Sequence, residues 1–407
     1  MATSSAQEHA VSRGWKALST LLVTAARHAK PLPLDGSFVN NPLHRGSTVV
    51  YPSMSAMRDA GQYTYDHVTL YGAMGSPNQH DLEQVMALIE GGMHSHVVSS
   101  GLSACTIPLL AYLSAGDHCL IIDSIYGPTR RFAETVMKRF GVEVSYYPAD
   151  ISTEQVRNYL KSNTKVIFTE SPGSHTFEIQ DIGALAELAH EYKAKLILDN
   201  TWGIGIFKPF DHGVDVSVQA LTKYANGHSD LVLGAITVNN ETDWKILRNT
   251  IIALGEVPGP DACWLTLRGL RTLSARLEQQ SISGLKIAQW FAQQPQTERV
   301  LHPALPSCYG HDLWKRDFFG ASSIFGVVFK NYVTPEQVVN MIENLSLFSI
   351  GASWGGYESL VLPTDSEIRR SFPNKILTGP ACRFHIGLEN SEDLIKDLEQ
   401  AFSICFV

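Results

Sequence analysis

Four polar positions stand where apolar runs end. Lys223 closes VDVSVQALTK, Asp199 ends KLILD, Tyr126 follows HCLIIDSI, and Ser100-Gly101 follows HVVS. A lysine in a covered place can lose its charge and act as nucleophile or base. A carboxylate at the end of a buried run needs a cationic or protonated partner. A Ser-Gly turn into a helix exposes backbone N–H groups that suit an anion. A tyrosine can cover a planar ring. Each position also has an ordinary use: a solvated lysine, a turn-forming aspartate, a common strand-to-helix turn, a packed aromatic.

Taken together, the four make one set. Pyridoxal phosphate needs a cradle for its phosphate, a carboxylate for its pyridinium nitrogen, a lysine for its aldehyde and a stacking partner for its ring. Six cysteines at 105, 119, 263, 308, 382 and 405 form no CxxC pair. That disfavours a zinc site or a disulfide framework and predicts small buried thiols; no metal is expected.

The elements that must hold these residues are legible. HVVSSG, HCLIIDS, KVIFTESPG, KLILDN and VDVSVQALTK are short apolar runs. Helical segments alternate with them, at 81–90 ending on Gly91-Gly92, and at 178–194. That is the signature of parallel strands buried on both faces. The fold class is α/β with a mostly parallel central sheet and a smaller C-terminal α+β domain. Ligands in such sheets sit beyond the carboxyl ends of the strands. The expected division is 1–60, a helix and extended arm; 61–269, the large domain; and 270–407, the small domain. In the last, a helix spans 272–293, SSIFGVVFK and CRFHIGL read as strands, another helix starts after Thr334-Pro335, and Ser391 caps the final helix.

Composition narrows the class. The chain has 407 residues, 18% of them charged, and a net charge of −8. An acidic balance disfavours a nucleic-acid binder. Low charge with 44% hydrophobic residues suggests surface hidden in an oligomer. The most apolar stretch, 97–116, is broken by Ser, Gly and Pro, so no membrane span is expected. No signal-peptide pattern is seen, which predicts a cytoplasmic enzyme.

Longer motifs add a resemblance. TKYANGHSD at 222–230, LDNTWG at 198–203, LRGLRTL at 267–273, HPALP at 302–306, GHDLWKRDF at 310–318 and SLFSIGASWGGYESL at 346–360 are quoted as they stand. Over about residues 38–404 the chain resembles the Cys/Met-metabolism family of pyridoxal-phosphate enzymes, fold type I, in its bacterial cystathionine β-lyase branch. The resemblance implies that Lys223 binds the cofactor covalently and shuttles protons. Asp199 would pair with the ring nitrogen, and Tyr126 would stack on the ring. Gly101, Leu102 and Thr222 would hold the phosphate, and Arg383 would clamp the substrate α-carboxylate. Ser353 and Trp354 would line the wall beside it, and Tyr71 would reach the partner subunit's phosphate in a dimer of dimers.

The same resemblance exposes departures. The branch typically reads YGRRG where this chain has Tyr71-Gly72-Ala73-Met74-Gly75. The first missing arginine normally holds the phosphate across the dimer, and the second helps read the substrate's far carboxylate. Arg131 stands where an aspartate often faces the far amino group, and Ile252 where a tyrosine gates the site. The expected chemistry is β-elimination with carbon–sulfur cleavage, in a pocket altered at its far end. γ-Elimination, a lyase reaction on a small unsaturated or halogenated amino acid, and alanine racemisation as a side activity are the alternatives. The non-enzymatic alternative is a binding protein that has lost its cofactor.

Overall fold

The computed structural model describes residues 18–27, 38–365, 367–373 and 375–406. Most of the expected N-terminal helix and part of the arm lie outside them. Within them, 18–24 is helical and buries Leu18 and Leu22. The arm is not extended throughout: Met54–Ala60 is a helix capped by Ser53.

Seven strands form the large sheet: β1 (His94–Val98), β2 (His118–Ile122), β3 (Glu143–Tyr147), β4 (Thr164–Glu170), β5 (Lys195–Asp199), β6 (Val216–Ala220) and β7 (Gly234–Val238). Their order is β1-β7-β6-β5-β4-β2-β3. Strand β7 runs antiparallel to both its neighbours, and every other pair is parallel. The mostly parallel sheet is therefore present, and β1, β6, β5, β4 and β2 all end on one edge. Strands β3 and β7 escaped the sequence reading. β3 is a half-exposed edge strand with little apolar signal, and β7 opens on glycine.

Helix boundaries shift in ways the caps explain. The helix expected at 81–90 starts a turn earlier, at Pro77, because Ser76 accepts from Gln79 N and proline fits the first position. The helix expected at 178–194 shrinks to Ile182–Glu191, with Asp181 as its cap. Glu178 and Gln180 instead turn inward to bond Thr176 and the Ala149 carbonyl. The final helix, Ser391–Cys405, is capped by Asn390, not Ser391; the Asn390 side chain accepts from Glu392 N.

A second sheet of five strands follows: β8 (Thr297–Leu301), β9 (Ile324–Phe329), β10 (Ser349–Ile350), β11 (Leu360–Pro363) and β12 (Ala381–His385), in the order β10-β11-β12-β9-β8. Only Ser349–Ile350 of the 346–356 stretch pairs as a strand; the rest is a loop. The described residues form two hydrophobic cores, and the helix Leu273–Ala292 enters both. Leu273 and Leu277 belong to the first, Ile287, Ala288 and Phe291 to the second. All six cysteines are buried free thiols. Among the described residues no helix is long and apolar enough to cross a membrane.

Candidate active site

The shared strand edge gathers most of the expected residues. Asp199 ends β5, and Lys223 lies just past β6. The helix Gly101–Tyr112 begins just past β1, and Tyr126 lies past β2. Arg383 comes from β12 of the small sheet, and Ser353 and Trp354 from the loop after β10. The site is therefore a seam between the two sheets.

At the helix start, Ser100 Oγ accepts from Ser103 N, and the first helical bond runs from Ala104 N to Ser100 O. The Gly101 and Leu102 N–H groups precede both and point out of the helix end, where an anion is favoured. The fit to the sheet is close. A Cβ on Gly101 would lie 2.6 Å from Ala220 Cβ, and one on Gly234 would lie 2.2 Å from the Ser100 carbonyl oxygen. Only glycine lets this helix sit flush on the strand edge. Thr222 is committed differently: its hydroxyl donates to Leu233 O at 3.2 Å and accepts from Leu233 N at 3.0 Å.

Asp199 is buried. Its Oδ1 accepts from Thr201 N at 3.0 Å and from Thr201 Oγ1 at 2.6 Å; its Oδ2 accepts from the Cys105 thiol at 3.5 Å. Burial raises its pKa against the pull of these donors. Glu170 ends β4 directly beside it in register. Its carboxylate accepts from Tyr126 N and Ser174 Oγ, each at 2.6 Å. Burial and the Asp199 charge push Glu170 well above the usual carboxylate range. Two acids at neighbouring strand ends make a place that favours a cationic N–H. Sequence reasoning missed Glu170, although KVIFTE ends in an acid just as KLILD does.

Lys223 Nζ donates to Ser353 Oγ at 2.6 Å and lies 5.3 Å from the centre of the Trp354 ring. Burial and the charge of Arg383 lower its pKa to about 8, with Asp199 opposing. An amine neutral above about pH 8 should become reactive there, not near the ordinary 10.5. In cofactor-free protein, Lys223 labelling by an amine reagent is expected to rise with a mid-point near pH 8. Peptide mapping across a pH series reads this directly; a mid-point above 10 would contradict it.

Arg383 Nη2 donates to the Ser353 carbonyl at 2.9 Å, while its buried Nε has no partner among the described residues. Burial lowers its pKa to about 10, so it stays cationic at neutral pH. An orphaned guanidinium N–H is costly unless an anion arrives. A carboxylate would satisfy it.

The structure does not bring every expected residue into this group. Tyr71 is exposed and sits in the turn before Gly72–Met74, where Gly72 N donates to Ser47 O. None of its contacts among the described residues reaches Lys223. Ala73 shares that turn and is exposed, as is Arg131 on the helix Gly127–Phe132; Met74 and Ile252 are half-buried.

A lysine with a lowered pKa, an acid pair, a helix start flush on the sheet and a buried guanidinium with an unsatisfied Nε fit pyridoxal phosphate with an amino acid. Residues 19–403 match the family model of Cys/Met metabolism PLP-dependent enzymes. The chain belongs to that family. It is similar to cystathionine beta-lyase MetC of Escherichia coli, at 39% identity, covering 95% of this chain and 98% of the relative. It is also similar to an L-alanine/L-glutamate racemase of Wolbachia pipientis, at 38% identity over 90% of this chain and 92% of that one. The solved structure of metB from Corynebacterium glutamicum superimposes with a TM-score of 0.86 at 29% identity, covering 95% and 98% of the two chains. The fold is thus that of the fold type I enzymes, and the cofactor is pyridoxal 5'-phosphate.

Proposed function

We propose that this family member cleaves the carbon–sulfur bond of an L-amino acid by β-elimination. The observation that carries the reading is Lys223, an amine of lowered pKa held between Ser353 and the charge field of Arg383 and Asp199. Pyridoxal phosphate, when bound, supplies the electron sink for a carbon that loses its proton. Gly101 and Leu102 would hold its phosphate, with Thr222 fixing the turn beneath. Asp199 would hold the ring nitrogen, Tyr126 would cover the ring, and Lys223 would carry the covalent attachment. Arg383 orients the α-carboxylate, with Ser353 and Trp354 forming the adjoining wall. Lys223 removes the Cα proton. The Cβ–S bond then breaks, the thiol leaves with a proton, and water converts the remaining three-carbon fragment to pyruvate and ammonia. With cystathionine the thiol is homocysteine.

A panel of β- and γ-substituted amino acids tests this. Pyruvate as the product supports β-elimination. 2-Oxobutyrate points to γ-elimination instead, and Cα-hydrogen exchange into alanine without keto acid points to racemisation. The racemase relative favours that last alternative. A protein that takes up no cofactor, and so stays colourless, would overturn the enzymatic reading.

The far end of the pocket carries a second part of the proposal. Met74 and Ile252 lack the polar groups expected to read cystathionine's distal charges, Arg131 puts a cation where an aspartate would meet the far ammonium, and Ala73 lacks the arginine expected to hold the cofactor phosphate. A buried charged group left unpaired costs binding, so smaller substrates are favoured. Restoring one charge-assisted contact by Ala73→Arg is worth about 1.5–3 kcal/mol. That is roughly tenfold to a hundredfold in cofactor affinity, measurable by titrating cofactor into the apoprotein; unchanged affinity would dismiss the idea.

The same reading places Tyr71 beside a partner subunit's cofactor in a dimer of dimers. The arm supports it by leaving Phe38 93% and Val50 90% exposed. Sedimentation should give a tetramer, and an active monomer would refute the assembly.

A further inference from the structure

Arg383 and His385 lie two residues apart on β12, so both face the seam, while Cys382 and Phe384 face the small core. His385 is fully buried. Its Nε2 lies 3.1 Å from Gly355 N, which donates to it. Its Nδ1 lies 3.2 Å from Ser323 Oγ. Ser323 is in turn bonded to Tyr224, the neighbour of Lys223, through Oγ at 3.2 Å and N at 3.0 Å. The proton of the imidazole is therefore on Nδ1. Nε2 also lies 3.3 Å from the Gly356 carbonyl, a longer contact than the one to Gly355 N, whose N–H can only donate. Moving the proton to Nε2 would strip Gly355 N–H of its acceptor.

The loop so held is an unusual one. Ser353 has φ +76° and Gly355 has φ +89°, both in the left-handed region. A serine there is strained unless its surroundings fix it. Gly355 also presses on the backbone of the catalytic lysine: a Cβ would lie 2.7 Å from Tyr224 N and 2.8 Å from Lys223 C. One imidazole thus joins the loop that carries Ser353, the strand that carries Arg383 and the segment that carries Lys223.

We propose that His385 is a positioning residue for Lys223: by accepting the Gly355 N–H it holds the 353–356 loop so that Ser353 Oγ meets the lysine. The proposal rests on Lys223 being the reactive amine, but its geometry does not depend on which bond the enzyme cleaves. Burial, with the Arg383 and Lys223 cations nearby, lowers the His385 pKa to about 3, so the acceptor survives across the working range. The other groups packed around it are Tyr224, Ser323 and the Gly356 carbonyl, none of them charged at neutral pH.

Two substitutions separate its two bonds. A glutamine amide reaches where Nε2 stands, and an asparagine amide where Nδ1 stands. His385→Gln keeps the Gly355 contact; His385→Asn keeps only the Ser323 contact. The readout is the pH mid-point of Lys223 labelling in the cofactor-free protein, with kcat and KM of the holoenzyme beside it. Ser353→Ala removes the acceptor that stabilises the cation, so its mid-point should fall by roughly half a unit from about 8. His385→Asn should fall by the same amount, lower kcat at least fivefold while leaving KM within about twofold, and add nothing when combined with Ser353→Ala. His385→Gln should stay within about twofold of the unaltered enzyme in kcat. The proposal is overturned if His385→Asn leaves the mid-point unmoved, if its effect adds to that of Ser353→Ala, or if His385→Gln is the worse of the two. If His385→Asn does not fold, wild-type-like labelling and kcat in His385→Gln support the proposal, and a Ser353→Ala-like mid-point in it overturns it. Because labelling needs neither cofactor nor substrate, a wrong assignment of the reaction leaves this test intact.

Discussion

Lys223→Ala protein should turn over amino-acid substrates at least about a thousandfold more slowly than the unaltered enzyme. Proton transfer by a positioned base alone is worth about 10²–10⁴ in rate, and the proposed reading also has this amine hold the cofactor covalently. The replacement should fold, because Lys223 lies past the end of β6 and, among the described residues, its side chain hydrogen-bonds only Ser353. Borohydride reduction of the unaltered holoenzyme, followed by peptide mapping, should place the pyridoxyl group on Lys223. In Lys223→Ala that label should vanish, while phosphate and ring contacts still allow reversible binding. A label on a different lysine, or turnover within tenfold of normal, would remove Lys223 from the mechanism.

Arg383→Ala should be the next most damaging change. The guanidinium is buried, and its Nε, without a partner among the described residues, is free to take the proposed carboxylate. Two charge-assisted bonds to that carboxylate contribute about 3–6 kcal/mol in total, so kcat/KM should fall by roughly 10²–10⁴ for every amino acid tested. Cofactor absorbance should be unchanged, since in the proposed reading Arg383 holds the substrate's end of the site. Arg383→Lys should recover little, because a point charge cannot make the planar two-bond contact. Loss of cofactor in parallel with activity would make the residue structural.

How far the sequence revealed this site depends on which strand each residue ends. Asp199 and Lys223 were legible because each closes a buried run, and parallel sheets place such ends on one edge. Glu170 obeys the same rule, but one acid after a strand is an ordinary turn residue until register sets it beside Asp199. His385 was illegible. It sits inside CRFHIGL at a position that alternation alone assigns to one face, and nothing local shows the Gly355 N–H that it accepts. Strand β7 hid for a related reason: GAITV opens on a glycine and carries a threonine, and its edge toward β1 pairs with a strand well over a hundred residues earlier in the chain. The cap of the last helix was misplaced by one residue because Asn390 and Ser391 are both good caps, and only the bond to Glu392 N chooses between them.

The helix Leu273–Ala292 has its first turns in one core and its last in the other. For anyone recombining this chain with a relative, no clean joint exists between the two sheets. A crossover before Leu273 would hand the large core two foreign leucine positions. One after Ala292 would do the same to the small core through Ile287 and Phe291. Exchangeable pieces must be spliced within the helix, between Leu277 and Ile287, where a shared helical phase keeps each half facing its native neighbours.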